Sequence, residues 1–180
     1  MEQAEPMVIL VNLSDRPTGT CLKLDAHRTP RLHRAFSVFL VCGEEMLLQR
    51  RAIGKYHSGG LWANACCSHP RPGEDTAEAA ARRMQEELGI GCPLSEIFRF
   101  VYCAAFENGI YEYEYDHVLL GRLEEKPILR PDPEEIGETR WVSLDQLELE
   151  LLEDPMRFSV WFRTAAPEVL RILKAGNGRI

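Results

Sequence analysis

Residues 64–74, NACCSHPRPGE, bring together groups that could do chemistry. Cys66 and Cys67 are adjacent, and His69 follows two residues after the second thiol. Sulfur and imidazole in this order are compatible with half of a disulfide framework, half of a zinc site, or a reactive thiol beside a metal. A structural zinc site would need a second ligand pair, such as a distant CxxC, which the sequence lacks. Successive side chains of a strand point to opposite faces, so Cys66 and Cys67 are expected to have separate roles.

Three histidines and two carboxylates from separated segments form a second candidate site. His27, His33 and His69 lie in or beside predicted loops, whereas Glu112 and Glu114 alternate along the segment YEYEYDHVLL. Five nitrogen and oxygen donors would suit Mn²⁺, Zn²⁺ or Fe²⁺. Sequence spacing does not show that they converge. Structural or exposed histidines and a solvated acidic strand face are the alternative.

The segment 74–90 is predicted to be a helix. Asp75 and Glu78 resemble a capping box, and Gly89 is a typical C-terminal stop. Acidic and basic side chains recur every four residues and therefore share one face; they are Glu74, Glu78, Arg82 and Glu86. Spacing alone allows either a functional face or a solvated face with ion pairs.

Bulk properties exclude several functions. The 180 residues carry 45 % hydrophobic and 27 % charged side chains, as in ordinary globular proteins, and a formal charge of −7 argues against a nucleic-acid partner. No segment has the length and apolarity of a membrane span, and residues 1–15 lack the basic region of a signal peptide. The six cysteines are therefore expected to be thiols in a reducing cytoplasm. Four of them are expected to be buried structural thiols: Cys21, Cys42, Cys92 and Cys103.

The predicted strands and helices, which must position the candidate site residues, indicate an α+β domain with a mixed sheet. Hairpins are expected from residues 7–13 with 18–24, from 36–42 with 46–51, and from 98–106 with 111–121. Residues 25–33 and 127–137 are predicted loops, and residues 61–67 and 139–144 are predicted short strands. Residues 144–153 are predicted to be a helix capped by Ser143, and residues 157–176 a final helix interrupted near Pro167.

The tail RRMQEELG of the predicted helix resembles the signature of the Nudix superfamily, G-x5-E-x7-R-E-U-x-E-E-x-G-U, where U is aliphatic. Seven positions match: Glu74, Arg82, Met84, Glu86, Glu87, Gly89 and Ile90. Ser68 replaces the first glycine, and Arg83 replaces a glutamate of the box. A cation at that position should weaken Mg²⁺ binding and offers a guanidinium fork to phosphate oxygens. Hydrolysis of a nucleoside diphosphate derivative by a Nudix enzyme stays the alternative function.

Further blocks resemble type 1 isopentenyl-diphosphate Δ-isomerases, in order over residues 18–161. They are TGT at 18–20, RLHRAFS at 31–37, RRA at 50–52, GLWANACCSHP at 60–70, YEYE at 111–114 and FSVW at 158–161. The resemblance implies a single domain over residues 1–180, with a Nudix-like core at approximately 33–165. The fold would be a mixed β-sheet sandwiched by helices, with an added N-terminal hairpin and C-terminal helices. It implies interconversion of isopentenyl and dimethylallyl diphosphate in cytoplasmic isoprenoid biosynthesis, by a monomer or homodimer that binds neither nucleic acid nor membrane.

The same resemblance implies roles for individual residues. Cys67 and Glu114 would be the proton-transfer groups, assisted by Tyr102 and by Trp161 through a cation–π interaction. The diphosphate would be bound by Lys23, Arg51, Lys55 and Arg83. One Mn²⁺ or Zn²⁺ would be held by His27, His33, His69, Glu112 and Glu114. Mg²⁺ would be held by Glu87 and the backbone oxygen of Cys67. The Cys66 side chain would only pack in the protein interior and would take no part in proton transfer or metal binding.

Overall fold

The computed structural model describes residues 6–177, which form one nine-stranded mixed sheet and four α-helices. The strands are β1 (Met7–Val11), β2 (Pro17–Leu22), β3 (His33–Cys42), β4 (Glu45–Arg51), β5 (Trp62–Asn64), β6 (Cys66–Ser68), β7 (Leu94–Ala105), β8 (Tyr111–Leu123) and β9 (Ile136–Ser143). The helices are α1 (Lys23–Arg28), α2 (Thr76–Leu88), α3 (Leu144–Glu153) and α4 (Val160–Asn177), with a 3₁₀ turn at Pro155–Arg157. The predicted α+β class with a mixed sheet is confirmed. None of these helices is both long and apolar enough to cross a membrane.

Strand β3 is the centre of the sheet. It pairs in parallel with β8 along its whole length, and antiparallel with β6 and β4 at successive positions on its other side. Strand β7 extends the sheet beyond β8, and β9 extends it beyond β4. Because β3 has neighbours on both edges and helices on both faces, its sequence is almost continuously apolar and buried.

The two faces of the sheet carry separate apolar clusters. Phe39 and Val41 of β3 pack toward α3 and α4, whereas Phe36 and Val38 pack toward α2. This alternation follows from the two-residue period of a strand. It also separates the adjacent thiols: Cys66 is buried in the α2 cluster, and Cys67 packs against the other one. The predicted separation of the two cysteines is confirmed.

Helix α2 has the ends that its sequence predicts. The Asp75 side chain accepts hydrogen bonds from the backbone N–H groups of Ala77 and Glu78. Gly89 ends the helix in the left-handed region at φ 69°, where its N–H donates to the Gln85 carbonyl. Arg82 forms an ion pair with Glu86, as expected for four-residue spacing, and a second one with Glu74, which precedes the helix.

Two local predictions are wrong because tertiary packing overrides the sequence signal. Residues 23–28 form α1, where the sequence predicts a strand up to residue 24 and a loop from residue 25, since Ala26 and His27 are fully buried against the sheet. Helix α4 continues through Pro167 without a break. The proline removes one backbone hydrogen bond, but buried side chains on both sides hold the helix against the sheet, among them Ala165 and Leu170.

Two further predictions need correction. Residues 61–67 form two strands, β5 and β6, because the chain changes partner from β4 to β3 at Ala65. The four remaining cysteines are not buried: Cys21, Cys42 and Cys92 are half-buried, and Cys103 is exposed on the edge strand β7. All six cysteines are free thiols.

Gly59 closes the loop between β4 and β5, which covers one side of the site described below. A Cβ atom at this position would lie 2.5 Å from the Ile53 carbonyl oxygen, a backbone atom that cannot rotate away. We expect Gly59→Ala to lower the free energy of unfolding by about 1–3 kcal/mol. Gly54→Ala, in the same loop but with no atom within 4 Å of its Cβ, should change it by less than about 0.5 kcal/mol. Equal midpoints for the two variants in chemical denaturation would contradict this account.

Candidate active site

Strand register places the candidate site on one face of the sheet. His33 on β3 is paired with Glu114 on β8, which is paired in turn with Tyr102 on β7. On the other edge of β3, Ser37 is paired with Cys67 on β6. Directly paired residues point to the same side of a sheet, so all five side chains share the face covered by α4.

Four of the five predicted metal ligands converge. The ligand atoms of His27, His33, His69 and Glu114 all lie within 4.8 Å of one another. The Nε2 atoms of His33 and His69 are 3.2 Å apart, and Glu114 Oε1 lies 2.9 Å from His69 Nε2. Short α1 delivers His27, and the turn after β6 delivers His69.

The protonation states of this cluster suit a cation. His33 Nδ1 lies 2.8 Å from the Arg31 carbonyl and donates to it, which turns Nε2 toward His69 and Glu114. Both ring nitrogens of His27 are buried and have no hydrogen-bond partner within residues 6–177. Burial lowers the pKa of His27 to about 2 and that of His69 to about 4, which keeps both imidazoles neutral. Three imidazoles and a carboxylate are a donor set that fits a divalent metal ion.

The structure does not bring Glu112 into this cluster. Its Oε1 lies 3.0 Å from His57 Nε2, and its Oε2 lies 3.0 Å from the Tyr102 hydroxyl. The same hydroxyl lies 2.7 Å from Glu114 Oε2 and therefore bridges the two carboxyl groups. Burial, reinforced by the charge of Glu114, raises the pKa of Glu112 to about 8.

Sequence reasoning missed His57. Its ring is buried, stacks on Phe106 at 4.6 Å and meets the edge of Trp161 at 5.9 Å. The residue lies in an irregular loop, where no periodicity predicts which side chains turn inward. The only signal available was a histidine close in sequence to the predicted anion-binding residue Arg51.

Cys67 lines a small cavity of about 330 Å³, including its open mouth. Glu114, Tyr102 and Trp161 line the same cavity, so the predicted proton-transfer groups and the predicted aromatic side chain share one space. Burial raises the pKa of the Cys67 thiol to about 12, although Arg51 acts in the opposite direction. At neutral pH the side chain is therefore a thiol that can donate a proton.

This pKa predicts an unusual pH dependence for alkylation of Cys67. Only the thiolate reacts, and burial keeps its fraction small until the pH approaches 12. The rate with iodoacetamide, followed on the Cys67 peptide by mass spectrometry, should rise about tenfold per pH unit from pH 7 to about 10.5. An ordinary thiol, with a pKa near 8.5, levels off above about pH 9.5. A plateau near pH 9 would show that the thiol is not desolvated.

The four cations predicted to bind diphosphate divide into two pairs. Arg51 and Lys23 line the cavity, where the Arg51 guanidinium lies 5.0 Å from the centre of the Trp161 ring. Burial lowers the pKa of Lys23. Lys55 and Arg83 instead contact a carboxylate that sequence reasoning did not single out, Glu135, at 2.5 Å and 3.3 Å.

A basic groove continues from the cavity. Lys23 and His69 line both spaces, and Arg71, Arg82 and Arg83 line the groove beyond them together with Glu135. An elongated anionic ligand could therefore place its apolar end in the cavity and its charged end in the groove.

Glu87, the predicted Mg²⁺ ligand, lies on α2 and thus behind the sheet. It is buried, forms a salt bridge with Arg83 and lies beside the Cys66 thiol. Burial raises its pKa. Since the Cys67 side chain points to the opposite face, a cation at Glu87 could meet residue 67 only through its backbone.

The fold and the site define the class of protein. Residues 31–162 match the NUDIX domain family. The structure is similar to DR0079 from Deinococcus radiodurans, with a TM-score of 0.64 and 20 % identity over 82 % of this chain and 90 % of that one. It is also similar to a MutT protein from Methanosarcina mazei, with a TM-score of 0.62 and 20 % identity over 82 % and 96 % of the two chains. These matches show a Nudix fold.

Sequence relatives narrow this class. The chain is 44 % identical over 177 residues to isopentenyl-diphosphate Delta-isomerase 1 of Aromatoleum aromaticum, covering 98 % of this chain and 99 % of the relative. It is 47 % identical over 173 residues to the isopentenyl-diphosphate Delta-isomerase of Photobacterium profundum, covering 93 % of each. The chain belongs to the isopentenyl-diphosphate Δ-isomerase family within the Nudix fold.

Proposed function

We propose that this protein interconverts isopentenyl diphosphate and dimethylallyl diphosphate by proton addition and removal. Membership of the isomerase family supports this function. The observation that carries it is the shared cavity, in which a protonated thiol, Cys67, and a carboxylate, Glu114, lie with Trp161 at the inner end of a basic groove.

The reaction needs an acid and a base in a site from which water is excluded. A proton adds to the terminal CH₂ carbon of the alkene, which leaves a tertiary carbocation. Loss of a proton from the CH₂ group on the other side of that carbon forms the new double bond, so no atom is gained or lost. An alkene is a poor base and the cation reacts with water, so the site must position its proton donor and exclude solvent.

Cys67 and Glu114 would be the two proton-transfer groups, each acid in one direction and base in the other. Burial opposes charge on Glu114, but hydrogen bonds with His33 and His69 hold its pKa well below the ordinary range. Tyr102 would hold Glu114 in place through the contact at its Oε2. The negative face of the Trp161 ring would stabilise the carbocation by roughly 1–2 kcal/mol.

Metal ions would support this chemistry from two places. His27, His33, His69 and Glu114 would hold one Mn²⁺ or Zn²⁺, with Glu112 as a nearby second carboxylate and fifth ligand. A bound ion there would supply a fixed positive charge that orients Glu114. Glu87 and the backbone oxygen of Cys67 would hold Mg²⁺, which would supply positive charge for the diphosphate, and Lys23, Arg51, Lys55 and Arg83 would add to that charge. We place the reaction in the cytoplasm, in keeping with six free thiols.

Hydrolysis is the weaker alternative. Arg83 occupies a position where the Nudix signature has a glutamate, and its guanidinium forms salt bridges with Glu86 and Glu87. The remaining helix carboxylates are thus neutralised by a cation instead of being available to several metal ions.

Incubation with isopentenyl diphosphate, Mg²⁺ and Mn²⁺ tests this proposal. Proton NMR should show the two methyl signals of dimethylallyl diphosphate, and a phosphate assay should stay at its background. Release of phosphate without the isomer would favour the hydrolase.

A further inference from the structure

Asn64 is fully buried on β5, and both polar atoms of its amide are hydrogen-bonded. Its Nδ2 donates to the backbone carbonyls of Val38, at 3.1 Å, and Cys66, at 2.7 Å. Its Oδ1 accepts a hydrogen bond from the indole Nε1 of Trp161 at 3.1 Å. A leucine would fill a similar volume at lower cost if packing were all that mattered, since burying an amide is favourable only when it is satisfied.

These three hydrogen bonds join elements that meet at the cavity. Val38 lies on the central strand, the Cys66 carbonyl belongs to the peptide that leads into Cys67, and Trp161 is in the first turn of α4. The backbone bond from Ser159 N–H to the Trp62 carbonyl, at 2.9 Å, fixes where α4 begins but leaves the indole free to turn. Among residues 6–177, Asn64 is the acceptor found for the indole N–H.

We infer that Asn64 is a positioning residue of the isomerase, which fixes the Trp161 ring and the peptide before Cys67 relative to each other. This inference rests on the proposed function. Asn64 itself does not line the cavity, whereas Cys67 and Trp161 do. Its effect on the reaction therefore passes through the orientation of those two side chains.

The test compares Asn64→Leu, Trp161→Phe and the double variant. Displacing a reacting or stabilising group by about 1 Å costs on the order of 100-fold in rate, so Asn64→Leu should lower kcat by about that factor. KM for isopentenyl diphosphate should change by less than about threefold, because uniform substrate binding is untouched. In the Trp161→Phe background, where no indole N–H exists, the same substitution should lower kcat by less than about tenfold.

Ser159→Ala is the matched control. It removes a buried hydroxyl that has no partner in the described chain, and kcat should stay within about threefold of the parent value.

A second readout does not depend on catalysis. The indole N–H of Trp161, assigned by its loss in Trp161→Phe, should exchange slowly with solvent in the parent protein and at least about tenfold faster in Asn64→Leu. Fast exchange in the parent would overturn the contact, even if Asn64→Leu failed to fold. An unchanged kcat in Asn64→Leu would overturn the positioning role, and a full 100-fold cost in the Trp161→Phe background would overturn its action through Trp161. If the indole N–H of the parent protein exchanges slowly but the protein does not isomerise its substrate, the proposed function is refuted and the contact between Asn64 and Trp161 still stands.

Discussion

Replacing Cys67 by alanine should abolish isomerisation while leaving the fold and the metal content intact. General acid–base groups contribute about 10²- to 10⁴-fold, and the alkene offers no easier route, so we expect kcat to fall by about 10⁴-fold. The thiol is half-buried on a short strand whose backbone pairs with β3, so that removing the sulfur breaks no backbone hydrogen bond. Turnover measured with the purified variant, beside its circular dichroism spectrum, checks both halves of this expectation.

The adjacent thiol provides the control. Cys66 has nearly the same sequence context, but it is buried against α2 on the opposite face of the sheet. Cys66→Ala should therefore lower stability by about 1 kcal/mol and leave kcat within about threefold of the parent. A Cys67→Ala enzyme with near-parental turnover, or a Cys66→Ala enzyme that is folded but inactive, would contradict the assignment.

Loss of the metal is the second large effect that we expect. His69 contributes Nε2 to a cluster in which the Nε2 of His33 and Oε1 of Glu114 lie within 3.2 Å of that atom. His69→Ala removes one of four donors, so the affinity for the transition metal that we propose at this site should fall by at least about 100-fold. Elemental analysis of metal-reconstituted protein gives the stoichiometry directly.

His117→Gln is the comparison for this variant. His117 is also buried, but it contacts Glu96 and Asp15 away from the cluster. The substitution should reduce thermal stability and keep the metal. Unchanged metal stoichiometry in His69→Ala would remove His69 from the site.

Features set by local sequence were predictable. Asp75 and Gly89 mark the ends of α2, and the two-residue period of a strand is enough to assign Cys66 and Cys67 to opposite faces of the sheet. The helix ends and the alternation of side chains along a strand both depend on residues only a few positions away in the sequence. The class of the protein was predictable for another reason, because ordered blocks along the chain resemble one family.

Features set by distant contacts were not predictable. Spacing along YEYEYD identifies one acidic face but not whether it is solvated. The structure buries Glu112, Glu114 and Asp116, and the partners that contact Glu112 and Glu114 there, such as His57 and His69, come from distant segments. Residues 23–28 form a helix that buries His27, and this contact with the sheet is not encoded in the local pattern. The pairing of Lys55 with Glu135 joins positions 80 residues apart, and no local pattern encodes it.

Proton exchange during turnover tests the central claim most directly. With isopentenyl diphosphate in D₂O, the parent protein should form dimethylallyl diphosphate that carries deuterium in one methyl group, with no phosphate released. Recovered isopentenyl diphosphate should gain deuterium as the reaction reverses. Product without deuterium, or phosphate in place of the isomer, would contradict isomerisation by protonation and deprotonation at this site.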